Sequence, residues 1–592
     1  MLNPPCSATN ANNLVRYNDC ELTLGSGKNA EKGCFTKRGV CSKDDVQSAL
    51  FDNIHAGAFH LAIHARPILD LQGAIPKSWT LALVNAFFLT LTNVNFDHSR
   101  VAKHINDIYV CSEEAKQMLK QLNLEPFEYP AEFGIANKLS LKSWVPAKTT
   151  GELEQQGRQF GIFQRLKTQG ATVTGLQEIS IYGLKGLSAY ASHVDILGGD
   201  ISNDGKAIVT VLTEMLKPNA DLLALAMEVG RMNLDTMERL DPANTSAYGT
   251  PTLTRVNFGV RNGKCLLMSG HDLHDLHSIL KATEGSGVNV YTHGEMLISN
   301  AYPELRKFSH LVGNFGSAWQ NQRKEFSLFP GSIVLNTNCI MPPRETYKDR
   351  MFTCNLVGVE GVPHIDYLPD NYPEKDWTPV IKKAQDMPGF ASDGPPLFEG
   401  FLPDQIIGAN WRTTTALSDA IIELVKAGKL RRVFFVGGCD GSFPGRNYFS
   451  EVAEYVNKNL PDCIVIGSAC GIYRYVCHQD FGTLPGTDFP RLLIAGQCND
   501  TFSAITLVAH LANQLGVGLN DLPISYFVSW FEQKAVAILL TLLHLGVQNI
   551  RLGPRLPAFL SPDALKILNE KFSLRQISNS AVDDVQLALD GK

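Results

Sequence analysis

Between about residues 46 and 245, apolar side chains recur every third or fourth position. That spacing lays one face of a helix against a core. LFDNIHAGAFHLAIHARPIL (50–69) and LQEISIYGLKGLSAYASHVDIL (176–197) are the clearest cases. They resemble each other loosely, as do LTNVNFD (91–97) and RMNLDTM (231–237), which suggests a duplicated helical bundle. After about residue 250 the texture changes to short apolar runs: KCLLM, VNVY, SIVLN, VFFVG, CIVIG and LLIAG. Helical patterns lie between or after them, in DLHDLHSILKAT, LSDAIIELVKAG, FSAITLVAHLANQLG and EQKAVAILLTLLHLG. Strand–helix alternation predicts α/β architecture with mostly parallel sheets. The Pro/Gly-rich stretch DMPGFASDGPPLFEG (386–400) reads as a boundary. The expected organisation is therefore a cysteine segment with helical bundles over 1–245, then α/β domains over 246–395 and 396–592.

Composition narrows the class of protein. The chain has 592 residues, 44% hydrophobic and 19% charged, as a folded multidomain protein does. A net charge of −6 gives no basic surplus for nucleic acid or an anionic membrane, so neither is expected as a partner. The longest apolar stretch, Ala535 to Val547, is too short to span a bilayer. The start, MLNPPCSATN, lacks a basic segment followed by an apolar run, so a cytoplasmic location is expected. Thirteen cysteines without an export signal argue for metal ligands or buried thiols rather than a disulfide framework.

Their placement decides which. Each of the six apolar runs is followed within a few residues by a metal-ligating side chain. These are His271, then His293 and Glu295, then Cys339, Cys439, Cys470 and Cys498. In open parallel sheets, ligands bind outside the carboxyl ends of the strands, so residues far apart in sequence converge there. Glycines beside these residues would let backbone approach a bulky group closely. A single cysteine after a strand is usually just a small core residue. Four cysteines, a histidine and a carboxylate at strand ends are not explained by packing. Thiolate, imidazole and carboxylate together suit iron better than calcium or magnesium. The set exceeds what one zinc or a four-cysteine cubane needs. A mixed-ligand, multi-iron centre is the expectation.

Cys6, Cys20, Cys34 and Cys41 form a second group within a Gly/Lys-rich segment that reads as a loop wrapped on a small cluster. His60 and His64, four apart on a helix, read as a packed helix face. His274 and His277 read as surface or flanking groups. Cys111, Cys265, Cys354, Cys463 and Cys477 read as structural.

The longer motifs carry a family resemblance. SGHDLHDL, YTHGEML, GNFGSAWQNQRKEF, TNCIMPPRETYKDR, VGGCDG, ACGIYR, GQCNDTFSAI and NDLPISYFVSWFEQKAVAILLTLLHLG resemble the hybrid-cluster (prismane) proteins. The likeness runs from about residue 20 to the C-terminus. It implies hydroxylamine reductase activity, with nitric oxide as a further substrate. It also implies N-terminal helical bundles, two Rossmann-like domains and a hybrid 4Fe–2O–2S cluster between them. The implied ligands are His271, Glu295, Cys339, Cys439 (as a persulfide), Cys470, Cys498 and Glu532, with Lys534 beside them. Residue reading alone does not find Glu532, because a Glu in a helical pattern is usually solvated. The resemblance further implies an N-terminal 4Fe–4S or 2Fe–2S cluster. There the chain departs from the family, which begins C-x2-C: Cys20 matches the second cysteine, and Tyr17 stands where the first would be. Cys20, Cys34 and Cys41 leave a fourth ligand to Cys6, with Tyr17 competing and an incomplete site as the third option.

Reducing hydroxylamine to ammonia and water takes two electrons and two protons, so a redox-partner electron donor is implied. Glu295, Glu532, His271 and Lys534 are the candidates to adjust charge or protonation. A carbon monoxide dehydrogenase-type catalyst is a second enzyme reading, and would need a nickel-binding pattern. A non-catalytic nitric-oxide or redox sensor, or an S-nitrosylating protein, is the alternative from another class.

Overall fold

A computed structural model describes residues 34, 38–39, 41–130, 141–410, 415–440, 447–553 and 555–591. The helical expectation holds. Helices α1 (Asp45–Gln72), α2 (Lys77–Leu89), α3 (His98–Leu122), α4 (Thr150–Phe160), α5 (Ile162–Gln169), α6 (Ala171–Ile196), α7 (Ser202–Glu214) and α8 (Leu222–Tyr248) precede the sheets. Asp44 starts α1 by accepting the Gln47 amide, and Gly73 ends it in the left-handed conformation. Both α1 and α6 are buried along most of their length, which is why their sequences are apolar on more than one face. Helix α1 packs on α3, α4 and α7, and α6 packs on α8 and α2. His60 and His64 lie within this core, as expected: His60 Nδ1 sits against the Leu141 carbonyl, and His64 Nδ1 is 2.8 Å from the His60 carbonyl.

The loose likeness of 91–97 to 231–237 does not reflect equivalent structure. Residues 231–237 lie inside α8, whereas 91–97 form the turn and short strand joining α2 to α3.

All six apolar runs are strands, within two six-stranded, wholly parallel sheets. The first contains β1 (Lys264–Ser269), β2 (Val288–His293), β3 (Leu311–Asn314), β4 (Ser332–Leu335), β5 (Met351–Cys354) and β6 (His364–Ile365), in spatial order β3-β2-β1-β4-β5-β6. The second contains β7 (Arg432–Gly438), β8 (Cys463–Ser468), β9 (Leu492–Gly496), β10 (Ile524–Ser529), β11 (Arg551–Gly553) and β12 (Arg575–Gln576), in order β9-β8-β7-β10-β11-β12. Both are therefore the doubly wound order 3-2-1-4-5-6, whose ligand crevice opens between the first and fourth strands. The central strands are buried along most of their length, so their sequences read as continuous apolar runs rather than alternating ones.

Residues 387–403 carry no helix and no strand beyond isolated bridges at Phe390 and Gly394, and the chain then forms a separate two-stranded sheet. Asp404–Ile407 pairs antiparallel with Thr254–Asn257. Among the described residues no helix is long and apolar enough to cross a membrane.

Gly438 ends β7 with φ +103°, and a Cβ there would stand 2.0 Å from the Ser529 carbonyl oxygen of β10. The close neighbour is thus an adjacent strand, not a bulky ligand as the sequence suggested. Gly438→Ala combines a strained φ with a backbone clash and should destabilise by about 3 kcal/mol or more. A thermal melt checks this; an unchanged Tm contradicts it.

Candidate metal centre

The seven expected residues stand at the carboxyl ends of seven strands. His271 follows β1, Glu295 follows β2 and Cys339 follows β4. Cys439 follows β7, Cys470 follows β8, Cys498 follows β9 and Glu532 follows β10. All seven are buried, with no more than 7% of any one exposed. The paired positions β1/β4 and β7/β10 are the switch points of the two sheets.

Glu295 joins the two sets. Its Oε1 accepts the Cys470 amide at 3.2 Å and its Oε2 the Cys498 amide at 2.6 Å. The same Oε2 is 3.3 Å from His271 Nε2. Burial opposes its ionisation, but His271, Lys534 and the Cys498 amide outweigh burial and hold the carboxyl at about 2. Burial and Lys534 lower the His271 pKa, favouring the neutral ring that ligates metals. Its Nδ1 is held 2.9 Å from the Thr337 hydroxyl, which leaves Nε2 facing the Glu295 carboxylate. One donor atom each from His271, Glu295 and Cys498 lie within 4.8 Å of one another.

On the opposite side, Cys439 Sγ accepts the amides of Phe531 (3.1 Å) and Glu532 (3.4 Å). Glu532 is the extended residue that caps the helix Gln533–His544. Its Oε1 is 3.5 Å from Asn338 Nδ2, and its Oε2 is buried without a partner. Burial pushes this carboxyl up to about 7. Lys534 is fully buried, with Nζ 3.7 Å from Cys498 Sγ and 3.2 Å from Asn499 Oδ1. Desolvation works against its charge, but Cys498, Glu532 and Glu295 together raise its pKa. Its helix is brought close by Gly186 of α6, where a Cβ would stand 2.5 Å from Ala537 Cβ and 3.0 Å from Lys534 Cα.

Cys339 is positioned by its neighbours: Gln322 donates to its carbonyl at 2.8 Å and accepts the Met341 amide at 2.9 Å. Cys470 follows Ala469, a non-glycine residue at φ +61°, where backbone strain is tolerated at the edge of the site. Burial pushes the thiols of Cys339, Cys439, Cys470 and Cys498 upward.

Not every strand-end residue joins this set. His293 is not available: its Nδ1 is 3.0 Å from the Ser269 hydroxyl and its Nε2 2.9 Å from Glu325. Those partners lie 24 and 32 residues away in sequence, so the occupied ring could not be read beforehand. Glu532 is the converse. It obeys the strand-end rule, but ISYFVS and the following helix merge into one apolar run that hides the strand. The polar triplet Glu532–Gln533–Lys534 inside that run was the available signal.

In the N-terminal group, Cys34 and Cys41 are buried and adjacent. Their sulfurs lie 3.6 and 3.0 Å from the place a Cβ on Gly39 would occupy. Cys6, Tyr17 and Cys20 lie outside the described residues. The Cys41 carbonyl is within 3.4 Å of Asn93 Nδ2, which also donates to the Ile340 carbonyl at 2.8 Å. Cys41 thus lies beside the loop bearing Cys339.

A cavity of about 290 Å3 reaches the donor set. Glu295, Cys439, Cys498, Glu532 and Lys534 stand in its walls, and Phe502, Ile505, Val508, Ile538 and Leu542 line an apolar remainder.

A parallel-sheet pair with sulfur, imidazole and carboxylate donors at its switch points places the chain in a defined class. The chain belongs to the Prismane/CO dehydrogenase family, whose model matches residues 18–585. Hydroxylamine reductase of Thermodesulfovibrio yellowstonii is 42% identical over 93% of this chain and 96% of its own. That of Methanocella arvoryzae is 41% identical over 93% and 97%, and that of Enterobacter sp. (strain 638) 42% over 96% and 98%. Among solved structures, the as-isolated Ni-free carbon monoxide dehydrogenase of Thermococcus sp. AM4 matches with a TM-score of 0.52 at 16% identity, covering 94% of this chain and 87% of that one. Carbon monoxide dehydrogenase IV of Carboxydothermus hydrogenoformans matches at 0.50 and 15%, over 94% and 89%. At such identity the likeness is one of fold.

The raised thiols have a consequence for metal loading. Protonated in the metal-free chain, they must lose protons to ligate, so metal affinity should rise with pH. Iron uptake by metal-free protein should fall steadily as pH is lowered from 8 to about 6. Uptake independent of pH would contradict the assignment of buried thiols as ligands.

Proposed function

We propose that this chain is an iron–sulfur oxidoreductase that reduces hydroxylamine to ammonia and water, with nitric oxide as a further substrate. The observation that carries the reading is the convergence of His271, Glu295 and Cys498 to within 4.8 Å, with Glu532 Oε2 buried and unpartnered. Buried polar atoms left in this way call for a ligand. The curated relatives are named as reductases, which favours catalysis over the sensor reading.

The donor set fits a mixed-ligand iron centre. His271, Glu295, Cys339, Cys439, Cys470, Cys498 and Glu532 would hold it, and the family resemblance makes it a hybrid 4Fe–2O–2S cluster with Cys439 as a persulfide. Cys34 and Cys41, with Cys20 and with Cys6 as fourth ligand, would hold a 4Fe–4S or 2Fe–2S cluster that passes electrons inward from a redox partner. When bound, iron supplies electrons and polarises an N–O bond.

The remaining work falls to side chains. Glu295, held ionised, offsets positive charge at the centre and ties together the backbones carrying Cys470 and Cys498. Glu532, whose carboxyl burial pushes up to about 7 in the metal-free chain, can hold a proton until it ligates iron. Lys534 places a second proton donor beside Cys498. All of these side chains are buried, so the centre would sit away from the protein surface.

Cys498→Ala removes a sulfur donor, so iron content and the cluster EPR signal should fall together. Glu532→Gln keeps the volume but removes the charge and the proton, and should lower hydroxylamine turnover about a hundredfold while the fold persists. Cys111→Ala, on α3 away from the site, should retain iron and turnover. Ammonia release from hydroxylamine with reduced viologen, measured anaerobically, checks all three. Full iron and normal turnover in both Cys498→Ala and Glu532→Gln would refute the proposed centre.

A further inference from the structure

A second cavity reaches the same donor set by a different wall. It encloses about 190 Å3 and shares no lining residue with the apolar cavity. Exposed Asn321 and His478 stand at its outer end, and buried Cys470 and Tyr473 at its inner end. Arg474 in its wall is ion-paired with Asp440, so the wall is polar without an uncompensated arginine. Gln320 also lines it, with its buried Oε1 lacking a hydrogen-bond partner.

The two cavities differ in what they can pass. Hydroxylamine carries N–H and O–H donors and lone pairs on both heavy atoms. Moving such a molecule through an apolar passage strips its hydration, at about 1–3 kcal/mol for each polar group left unpaired. Ammonia and water, the products, face the same cost. A polar passage replaces those hydrogen bonds as the water is lost. Nitric oxide donates none and suffers little in the apolar cavity.

Resting on the reductase reading above, we propose that the polar cavity at Cys470 is the route by which hydroxylamine enters and ammonia leaves. The apolar cavity is then the route for small uncharged gases. The reaction served is NH2OH + 2 e− + 2 H+ → NH3 + H2O: the N–O bond breaks, nitrogen is reduced, and the electrons come from the redox partner. Cys470 stands where the polar route meets the centre, and Asn321, Ser450 and Arg474 set its width.

Blocking each route separately tests this. In iron-loaded protein, Ser450→Trp and Asn321→Trp fill the polar cavity from different elements, and Ala509→Trp fills the apolar one. The readouts are iron content, KM and kcat for hydroxylamine, and the stopped-flow rate at which hydroxylamine changes the spectrum of the reduced centre. Both polar-cavity variants should keep their iron while KM rises about tenfold, the factor carried by roughly one lost hydrogen bond. The spectral change should slow in parallel, and Ala509→Trp should leave both values as in the wild type. Should Ser450→Trp lose iron, Asn321→Trp, at the exposed rim, decides. An unchanged KM in iron-replete Asn321→Trp, or a rise confined to Ala509→Trp, overturns the route. Wild-type protein that makes no ammonia would instead overturn the reductase reading on which the route rests.

Discussion

The buried carboxylate of Glu295 is the interaction on which the rest of the centre depends. It comes from the first sheet and accepts amides from two loops of the second, those of Cys470 and Cys498. Hydrogen bonds to a charged group are worth about 1.5–3 kcal/mol each, more than neutral ones. Both sheets are thereby fixed relative to each other at the carboxyl ends of their strands. An ionised carboxylate in so dry a place is stable only with partners, and His271, Lys534 and the two amides provide them. The same carboxylate lies close to His271 Nε2 and Cys498 Sγ, so the structural staple is also the proposed metal donor.

The helical region contributes a second restraint. The turn between α2 and α3 touches both halves of the centre. Thr92 donates through its amide and hydroxyl to Gln533, next to Glu532. Asn93 accepts the Ile340 amide and donates to the Ile340 carbonyl, next to Cys339. It also reaches the Cys41 carbonyl, so one turn ties Cys41 to both sheets. Such a hub explains why LTNVNFD carries Thr92, Asn93 and Asn95 although much of it is buried: the Thr92 hydroxyl and the Asn93 and Asn95 side-chain amides all donate to partners.

Much of this was legible in the sequence, for physical reasons. Strands of a doubly wound sheet are buried on both faces and stand out as apolar runs, so the six runs and the candidate donors after them could be read directly. Strands of two or three residues, such as His364–Ile365 and Arg551–Gly553, carry too little pattern to be seen. Ile524–Ser529 escaped for the opposite reason, because it runs into an equally apolar helix. Glu532 was hidden with it, and came only from family resemblance. The pairing of His293 with Glu325, and the replacement of a supposed repeat by a turn in 91–97, depend on contacts between distant segments. No local pattern encodes those.

The central claim is that one multi-iron centre joins the strand ends of both sheets. Diffraction from anaerobically grown crystals, recorded on either side of the iron absorption edge, tests it most directly. The account predicts strong anomalous density for several irons bonded to His271, Glu295 and Glu532 and to the four sulfurs of Cys339, Cys439, Cys470 and Cys498. Iron confined to the N-terminal cysteines, with Glu295 still bonded only to its two amides, would contradict it.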